Sequence, residues 1–348
     1  MIYSDTYLAD IRESTIHIPN IEELYNSRVL VTGATGMIGS AVVDAFLQLN
    51  STKSANIIVD AASRNEDKAK KRFGDILDSE QLKFVPYDDL LNGKKEQSYD
   101  YVIHTAAPAN PREYSNRPVE TINAIINGTN ALLEMCAKQG VKKFLYISSS
   151  EVYGKKTSNT AYKETEYGYV DIINSRSCYP SAKRTAETLC AAYSKEYGVP
   201  VVIVRPGHIY GPTMTAEDNR VAADFVRLAV AGNNIVLKSD GSQLRSHCYV
   251  ADCVSAIITV LINGSEGEAY NISSEKSISS IKEYAECVAE LTGTKVVFEV
   301  PSVQESKAFN PMNNASLDGT RLQSLGWEGN YDLKTGLNHT VTVVKEIG

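Results

Sequence analysis

The chain has 348 residues, 43% of them hydrophobic, which is material for one large core or two modest ones. A formal net charge of −7, with no basic cluster beyond Lys68-Ala69-Lys70-Lys71-Arg72, argues against a nucleic-acid footprint, so an anionic ligand must find local arginines. Six cysteines without C-x-x-C or metal-ligand spacing fit a reducing compartment and indicate no metal site, and no apolar run approaches bilayer length; the expectation is a cytoplasmic protein without a membrane partner.

In residues 1–27, Asn20-Ile21-Glu22-Glu23-Leu24-Tyr25 reads as a capped helix, with Asn20 as the cap and Glu23 reaching back to it. This segment is expected to form an arm that packs on the body or on a second subunit. Arg28-Val29-Leu30-Val31-Thr32 then reads as a buried parallel strand, and Gly33-Ala34-Thr35-Gly36-Met37-Ile38-Gly39 leads into an amphipathic helix. Each glycine has its own task. Gly33 permits the sharp turn, Gly36 lets backbone approach a pyrophosphate, and Gly39 allows helix and strand to close on each other. With Thr35, Met37 and Ile38 these form a candidate phosphate cradle at a helix N-terminus.

The stretch Asn56 to Arg64, the second strand and its exit, offers two readings of the cofactor. Asp60 lies 21 residues beyond Gly39, near the spacing at which an acid holds the adenosine ribose of NAD. If the strand runs on to Ala62, Ser63 and Arg64 instead stand at its tip, where the 2′-phosphate of NADP would sit. A third strand, Lys83 to Asp88, ends in an acid able to reach the adenine. A fourth, Tyr101 to His104, runs into Ala106 and Ala107, small enough for a cofactor to lie against the backbone. His104 reads as a packed histidine at the strand end.

A long helix, Val119 to Gln139, is stopped by Gly140. The fifth strand, from Lys143, terminates in Ser148-Ser149-Ser150-Glu151, three hydroxyls and an acid at the carboxyl end of a strand, where open α/β sheets bind ligands. Tyr179 and Lys183 stand four apart on one helix face. A phenol that serves as a base near neutrality needs a pKa shift of roughly 3 units, about 4 kcal/mol, and a neighbouring ammonium can help supply it. After the strand Val199 to Pro206 the alternation loosens into a smaller lobe. There Arg220, Arg227 and Arg245 are candidates for a diphosphate, because guanidinium forks match phosphate oxygens.

Taken together, the Thr32–Gly39 turn, Ser148 to Gly154, Tyr179 to Lys183, Arg205-Pro206-Gly207-His208-Ile209-Tyr210-Gly211-Pro212 and Gln243-Leu244-Arg245 resemble the extended short-chain dehydrogenase/reductases that modify nucleotide sugars. The resemblance implies an α/β fold, a Rossmann-like doubly wound parallel sheet with a smaller C-terminal substrate lobe. Its expected divisions are an arm over 1–27, an NAD(P)-binding domain over 28–205, and a partly interleaved substrate lobe over 206–348. It further implies a homodimer.

By position, the resemblance gives Tyr179 as the catalytic base and Lys183 as the residue that binds the nicotinamide ribose and lowers the tyrosine pKa. Ser149 would orient the sugar oxygen, with Ser150 and Glu151 beside it, and His208 would stand near the diphosphate. The shared chemistry is transient oxidation at sugar carbon 4 by NAD. From the 4-keto sugar, epimerisation, 4,6-dehydration or loss of a 6-carboxylate can follow, and a net NADP-dependent reductase is the alternative outside that cycle. Glu151 resembles the glutamate of the dehydratases and of the UDP-glucuronate decarboxylases, and the stretch from Cys178 to Glu187 looks closest to the decarboxylases, whereas Asn310 to Asp318 lacks the arginine those enzymes carry for the carboxylate.

Overall fold

The structure, a computed structural model, describes residues 3–94, 97–215, 218, 220–300 and 313–347, with 112 and 113 described by backbone alone. The first half alternates strand and helix as the spacing predicts. β1 (Arg28–Thr32) leads into α2 (Met37–Lys53) after an N-terminal helix α1 (Asp5–Glu13), and β2 (Ile58–Ser63), α3 (Glu66–Phe73), β3 (Leu82–Pro86) and α4 (Tyr87–Leu91) follow. Next come β4 (Tyr101–His104), α5 (Pro111–Asn116), α6 (Pro118–Gln139), β5 (Lys143–Ile147), α7 (Cys178–Tyr197) and β6 (Val201–Pro206).

These strands and the later β10 (Ala269–Ile272) form a seven-stranded sheet in the order β10-β6-β5-β4-β1-β2-β3, with every pairing parallel. Both faces are covered, so the strands are largely apolar, Asp60 of β2 being an exception. Val29 and Val31 of β1 turn into one core with Phe46 and Ile257, while Leu30 turns into the other with Leu132 and Ala186. The chain winds outward through β2 and β3 and then returns to β4 on the other side of β1. That reversal opens a crevice beyond the carboxyl ends of β1 and β4.

The smaller lobe stands over this crevice. β7 (His208–Tyr210), α8 (Val221–Val230) and β8 (Ile235–Leu237) precede β9 (Leu244–Tyr249), and α9 (Val250–Asn263) returns the chain to the large sheet. β9 is flanked by β7, by β11 (Ile278–Ser280) and by β13 (Asn314–Ala315). α10 (Ile281–Thr292) starts at a capping box in which Ser280 and Glu283 bond each other's backbone N–H, and β12 (Val296–Phe298) pairs with β8.

The N-terminal arm packs on the body. Tyr7 Oη donates to Asp44 Oδ2 at 2.5 Å. Asp10 receives Tyr249 Oη at 2.6 Å and Tyr331 Oη at 3.0 Å, and lies 2.9 Å from His339 Nδ1 on the C-terminal helix Leu333–Ile347. The expected cap at Asn20 does not form. Its φ of 58° turns the side chain away from the following N–H groups, only a short 3₁₀ turn over Ile21–Leu24 results, and its amide donates to Asn263 Oδ1 at 2.7 Å.

Candidate active site

The glycine-rich turn fits backbone against backbone. Gly33 has a φ of +66°, and a Cβ there would fall 2.6 Å from Thr105 Oγ1. A Cβ on Gly39 would fall 2.4 Å from the Gly33 carbonyl oxygen, so the first turn of α2 rests on the loop with no room for a methyl group. Gly36 is the residue before α2, leaving the helix's first N–H groups open toward the crevice. Thr105, which the sequence reading passed over, braces this loop by donating to the Thr32 carbonyl at 2.6 Å.

At the end of β5 the second cluster assembles. Ser149 is extended, its hydroxyl accepts from Glu151 N at 3.2 Å, and it lines the cleft with the Tyr179 phenol, whose pKa it lowers. Tyr179 and Lys183 project from one face of α7. Lys183 Nζ donates to the Ile147 carbonyl at 2.6 Å and lies 4.7 Å from the Tyr146 ring centre and 5.9 Å from that of Tyr179. Burial pushes the phenol of Tyr179 above its ordinary range, the Glu151 charge adds to that, and the Ser149 hydroxyl opposes it. Burial also pulls Lys183 down to about 7, against the attraction of Glu187.

Glu151 is held from two sides. Tyr114 Oη donates to its Oε1 at 3.1 Å and Arg176 Nη1 to its Oε2 at 3.1 Å, while the Tyr114 ring stacks on that of Tyr179 with centroids 5.0 Å apart. Sequence reasoning missed both partners. Arg176 carried a faint signal, a cation three residues before Tyr179 at the mouth of the same helix. Tyr114, one of 20 tyrosines, carried none.

Toward the smaller lobe, Arg245 is 3% exposed, and no carboxylate pairs with it among the described residues. Burial draws its pKa down to about 10. Arg220 forks onto Asp218 at 2.6 Å. Arg227 does not line the cleft; it donates to the Thr215 carbonyl at 3.2 Å and pairs with Asp224. His208 and His247 meet edge to face at 5.9 Å, and burial holds both neutral, His247 at about 3.

One cleft of about 1730 Å³ joins all of these groups. Gly33, Thr35, Gly36, Met37, Ile38, Gly39, Arg64, Asp88, Ala106 and Ala107 line one part of it, Ser149, Ser150, Glu151, Tyr179 and Lys183 the middle, and His208, Arg220 and Arg245 the far part. The volume exceeds the roughly 300–1,000 Å³ of a single-ligand pocket. Ser148 Oγ, His208 Nδ1 and Gln243 Oε1, all on residues of the cleft wall, are buried without a protein partner among the described residues. A turn that admits no Cβ, open helix N–H groups and unpartnered polar atoms fit a dinucleotide lying along this wall.

Asp60 is the exception and requires a correction. β2 continues to Ser63, so Asp60 lies in mid-strand, 2% exposed, paired in register with Leu30 and Lys83. Its carboxylate takes Arg28 Nη2 at 2.8 Å and Tyr99 Oη at 3.0 Å and does not reach the cleft. His104 is a packed histidine as expected, with Thr32 Oγ1 2.8 Å from Nδ1 and Thr129 Oγ1 3.2 Å from Nε2. Of the C-terminal stretch without an arginine, Asn310, Pro311 and Met312 lie outside the described residues.

A sequence profile described as the NAD dependent epimerase/dehydratase family matches residues 29–273, which takes in the glycine-rich turn, Ser149, Tyr179 and Lys183. The chain belongs to this family. Among curated relatives, UDP-glucuronic acid decarboxylase 6 of Arabidopsis thaliana is 33% identical over 313 residues, covering 90% of this chain and 87% of that one. UDP-glucuronic acid decarboxylase 1 of Xenopus tropicalis is 28% identical, covering 92% and 73%. In fold, a UDP-glucose 4-epimerase of Thermotoga maritima solved with UDP-glucose superposes with a TM-score of 0.79 at 24% identity, covering 92% of this chain and 99% of that one. An epimerase of Methanothermobacter thermautotrophicus reaches 0.82 at 21% identity, covering 95% and 96%. As an NAD-dependent epimerase/dehydratase, the chain is an enzyme, and its doubly wound sheet is that of its structural neighbours. Among the described residues no helix is long and apolar enough to cross a membrane.

Proposed function

We propose that this epimerase/dehydratase acts on a nucleotide-diphosphate sugar, oxidising it transiently at carbon 4 to a 4-keto sugar. The observation that carries the reading is the meeting of Ser149, Tyr179 and Lys183 in the same cleft as the glycine-rich turn. NAD held along the cleft wall by the glycine-rich turn would supply the hydride acceptor. Tyr179 Oη takes the proton of the 4-hydroxyl, and Ser149 Oγ fixes that oxygen within hydrogen-bond reach. Lys183, four residues along α7, binds the ribose next to the nicotinamide and brings positive charge to the phenol. Gly33, Thr35, Gly36, Met37, Ile38 and Gly39 hold the pyrophosphate, with Ala106 and Ala107 leaving room beside it and Asp88 facing the adenine.

At the far end Arg245 supports the diphosphate, because a buried guanidinium without a carboxylate partner is most stable opposite an anion, with Arg220 and His208 beside it. Glu151 and Ser150 stand next to Tyr179, where a carboxylate bears on carbon 5 once carbon 4 is a ketone. Several outcomes follow from that ketone. Return of the hydride to the other face of carbon 4 gives an epimer, whereas removal of the carbon 5 proton with loss of the 6-hydroxyl as water, and return of the hydride to carbon 6, gives a dehydrated sugar. Loss of a 6-carboxylate as carbon dioxide gives a pentose, the outcome favoured by the 33% identity to a UDP-glucuronic acid decarboxylase.

Incubation of the purified chain with UDP-, GDP-, CDP- and dTDP-sugars, UDP-glucuronate among them, read by mass and NMR, tests the reading. The expected result is one sugar converted without net consumption of added cofactor. Stoichiometric oxidation or reduction of the dinucleotide would refute it in favour of a net dehydrogenase or reductase. The same reading includes a cytoplasmic homodimer, which light scattering checks on the side of assembly.

A further inference from the structure

In a dinucleotide-binding βαβ unit an acid at the tip of the second strand selects for NAD, and the tip residues Ser63, Arg64 and Asn65 include none. An acid at that tip accepts the ribose hydroxyls and repels a 2′-phosphate. Here β2 runs three residues past Asp60, whose carboxylate is committed to Arg28 at 2.8 Å and Tyr99 at 3.0 Å inside the protein. The tip itself carries Ser63, Arg64 and Asn65.

Ser63 Oγ lies 3.1 Å from Thr35 Oγ1, which binds the tip of β2 against the glycine-rich turn. Asn65 caps α3 through Lys68 N at 2.9 Å, which fixes the path of the backbone around Arg64. Arg64 is exposed on the wall of the cleft, with Lys68 on the same wall, and its charge is felt by the Tyr87 phenol across the opening. No ion pair ties Arg64 to a carboxylate among the described residues, and Glu66 beside it is engaged with Lys70 at 2.6 Å. Asp88 of α4 lines the same cleft.

We propose that the tip of β2, with Arg64 as its cation, is a site for a 2′-phosphate, so that this cleft admits NADP(H) as well as NAD(H). The proposal rests on reading the cleft as a dinucleotide site. Two changes act together. With the Asp60 carboxylate turned into the protein, its charge does not reject a dianionic phosphate at the strand tip, and a guanidinium fork there accepts two of its oxygens. Ser63 and the N-terminal side of α3 supply further donors once the phosphate is in place. Loss of the acid also removes the two ribose bonds that would favour NAD, which narrows the difference between the two dinucleotides from both sides.

Calorimetric titration of the full chain, stripped of nucleotide, with NADH and NADPH tests this without reference to turnover, and Arg64, being exposed, can be replaced without disturbing the fold. The wild type is expected to bind NADPH within about tenfold of NADH, and Arg64→Ala to lower the NADPH to NADH affinity ratio by about tenfold or more, the more so at low salt. A wild type that binds NADH but binds NADPH more than about tenfold more weakly overturns the 2′-phosphate site and leaves the dinucleotide cleft intact. An affinity ratio unmoved by Arg64→Ala overturns it equally. Failure of both dinucleotides to bind would bring down the cleft reading, and this site with it.

Discussion

Replacing Lys183 by methionine removes a buried cation whose effect on folding can be worked out from its surroundings. Burial holds the folded-state pKa at about 7, against 10.5 for a lysine in water. Between pH 6 and pH 9 the unfolded chain keeps this proton, whereas the folded chain gives it up as the pH passes 7. The unfolded state therefore binds more protons above that point, and stability must rise with pH. Integrating the difference over the interval gives roughly 2.7 kcal/mol for this one group. Urea unfolding of dinucleotide-free wild type and Lys183→Met at the two pH values isolates it, since other titrating groups are common to both proteins. The gain in unfolding free energy from pH 6 to pH 9 should be smaller in the variant by roughly 2.7 kcal/mol. Parallel profiles would show that Lys183 keeps an ordinary pKa in the fold and that its contact with the Ile147 carbonyl does not reflect a desolvated amine.

Tyr179→Phe keeps the ring that stacks on Tyr114 and removes only the oxygen, so turnover should fall by about a thousandfold while dinucleotide affinity stays near that of the wild type; steady-state kinetics beside titration of the dinucleotide checks both halves. Asp10→Ala strips Tyr249, Tyr331 and His339 of a shared buried acceptor and should cost about 3 kcal/mol. Denaturant unfolding measures that loss, and earlier proteolysis within the first residues should accompany it as α1 lifts from the body.

What could be read from the sequence is what local spacing encodes. A strand, three glycines at intervals of three and an amphipathic helix have one compact solution, and the Cβ contacts at Gly33 and Gly39 show how little else fits. Tyr179 and Lys183 had to share a face once α7 was recognised as a helix. Asp60 shows the limit of counting along the chain. Its distance from Gly39 was right for a ribose ligand, but three further residues of pairing with β3 carried the strand end past it, and partners 32 and 39 positions away claimed its charge. Arg176 and Tyr114 converge on Glu151 from 25 and 37 positions away, through the packing of α5 and α7, and no spacing rule describes such a meeting. Asn20 failed for a smaller reason, a left-handed backbone that asparagine tolerates well.

The same burial works in opposite directions on the two groups proposed for catalysis, and this bears on when the site becomes competent. It keeps the proton on Tyr179 and takes it from Lys183, so the dinucleotide-free cleft holds a neutral phenol beside an amine near its midpoint at neutral pH. A base and its activating cation arise together only if new charge and new acceptors enter the cleft. Positive charge near the phenol favours the phenolate but would also strip Lys183, unless the ammonium gains oxygen acceptors beyond the Ile147 carbonyl. Ribose hydroxyls are such acceptors. The Glu151 charge resists phenolate formation at Tyr179, and Arg176, paired with that carboxylate at 3.1 Å, acts on the phenol in the other direction. The ion pair thus lets a carboxylate stand next to the base, ready for chemistry at carbon 5, with less hindrance to the oxidation at carbon 4 that must come first.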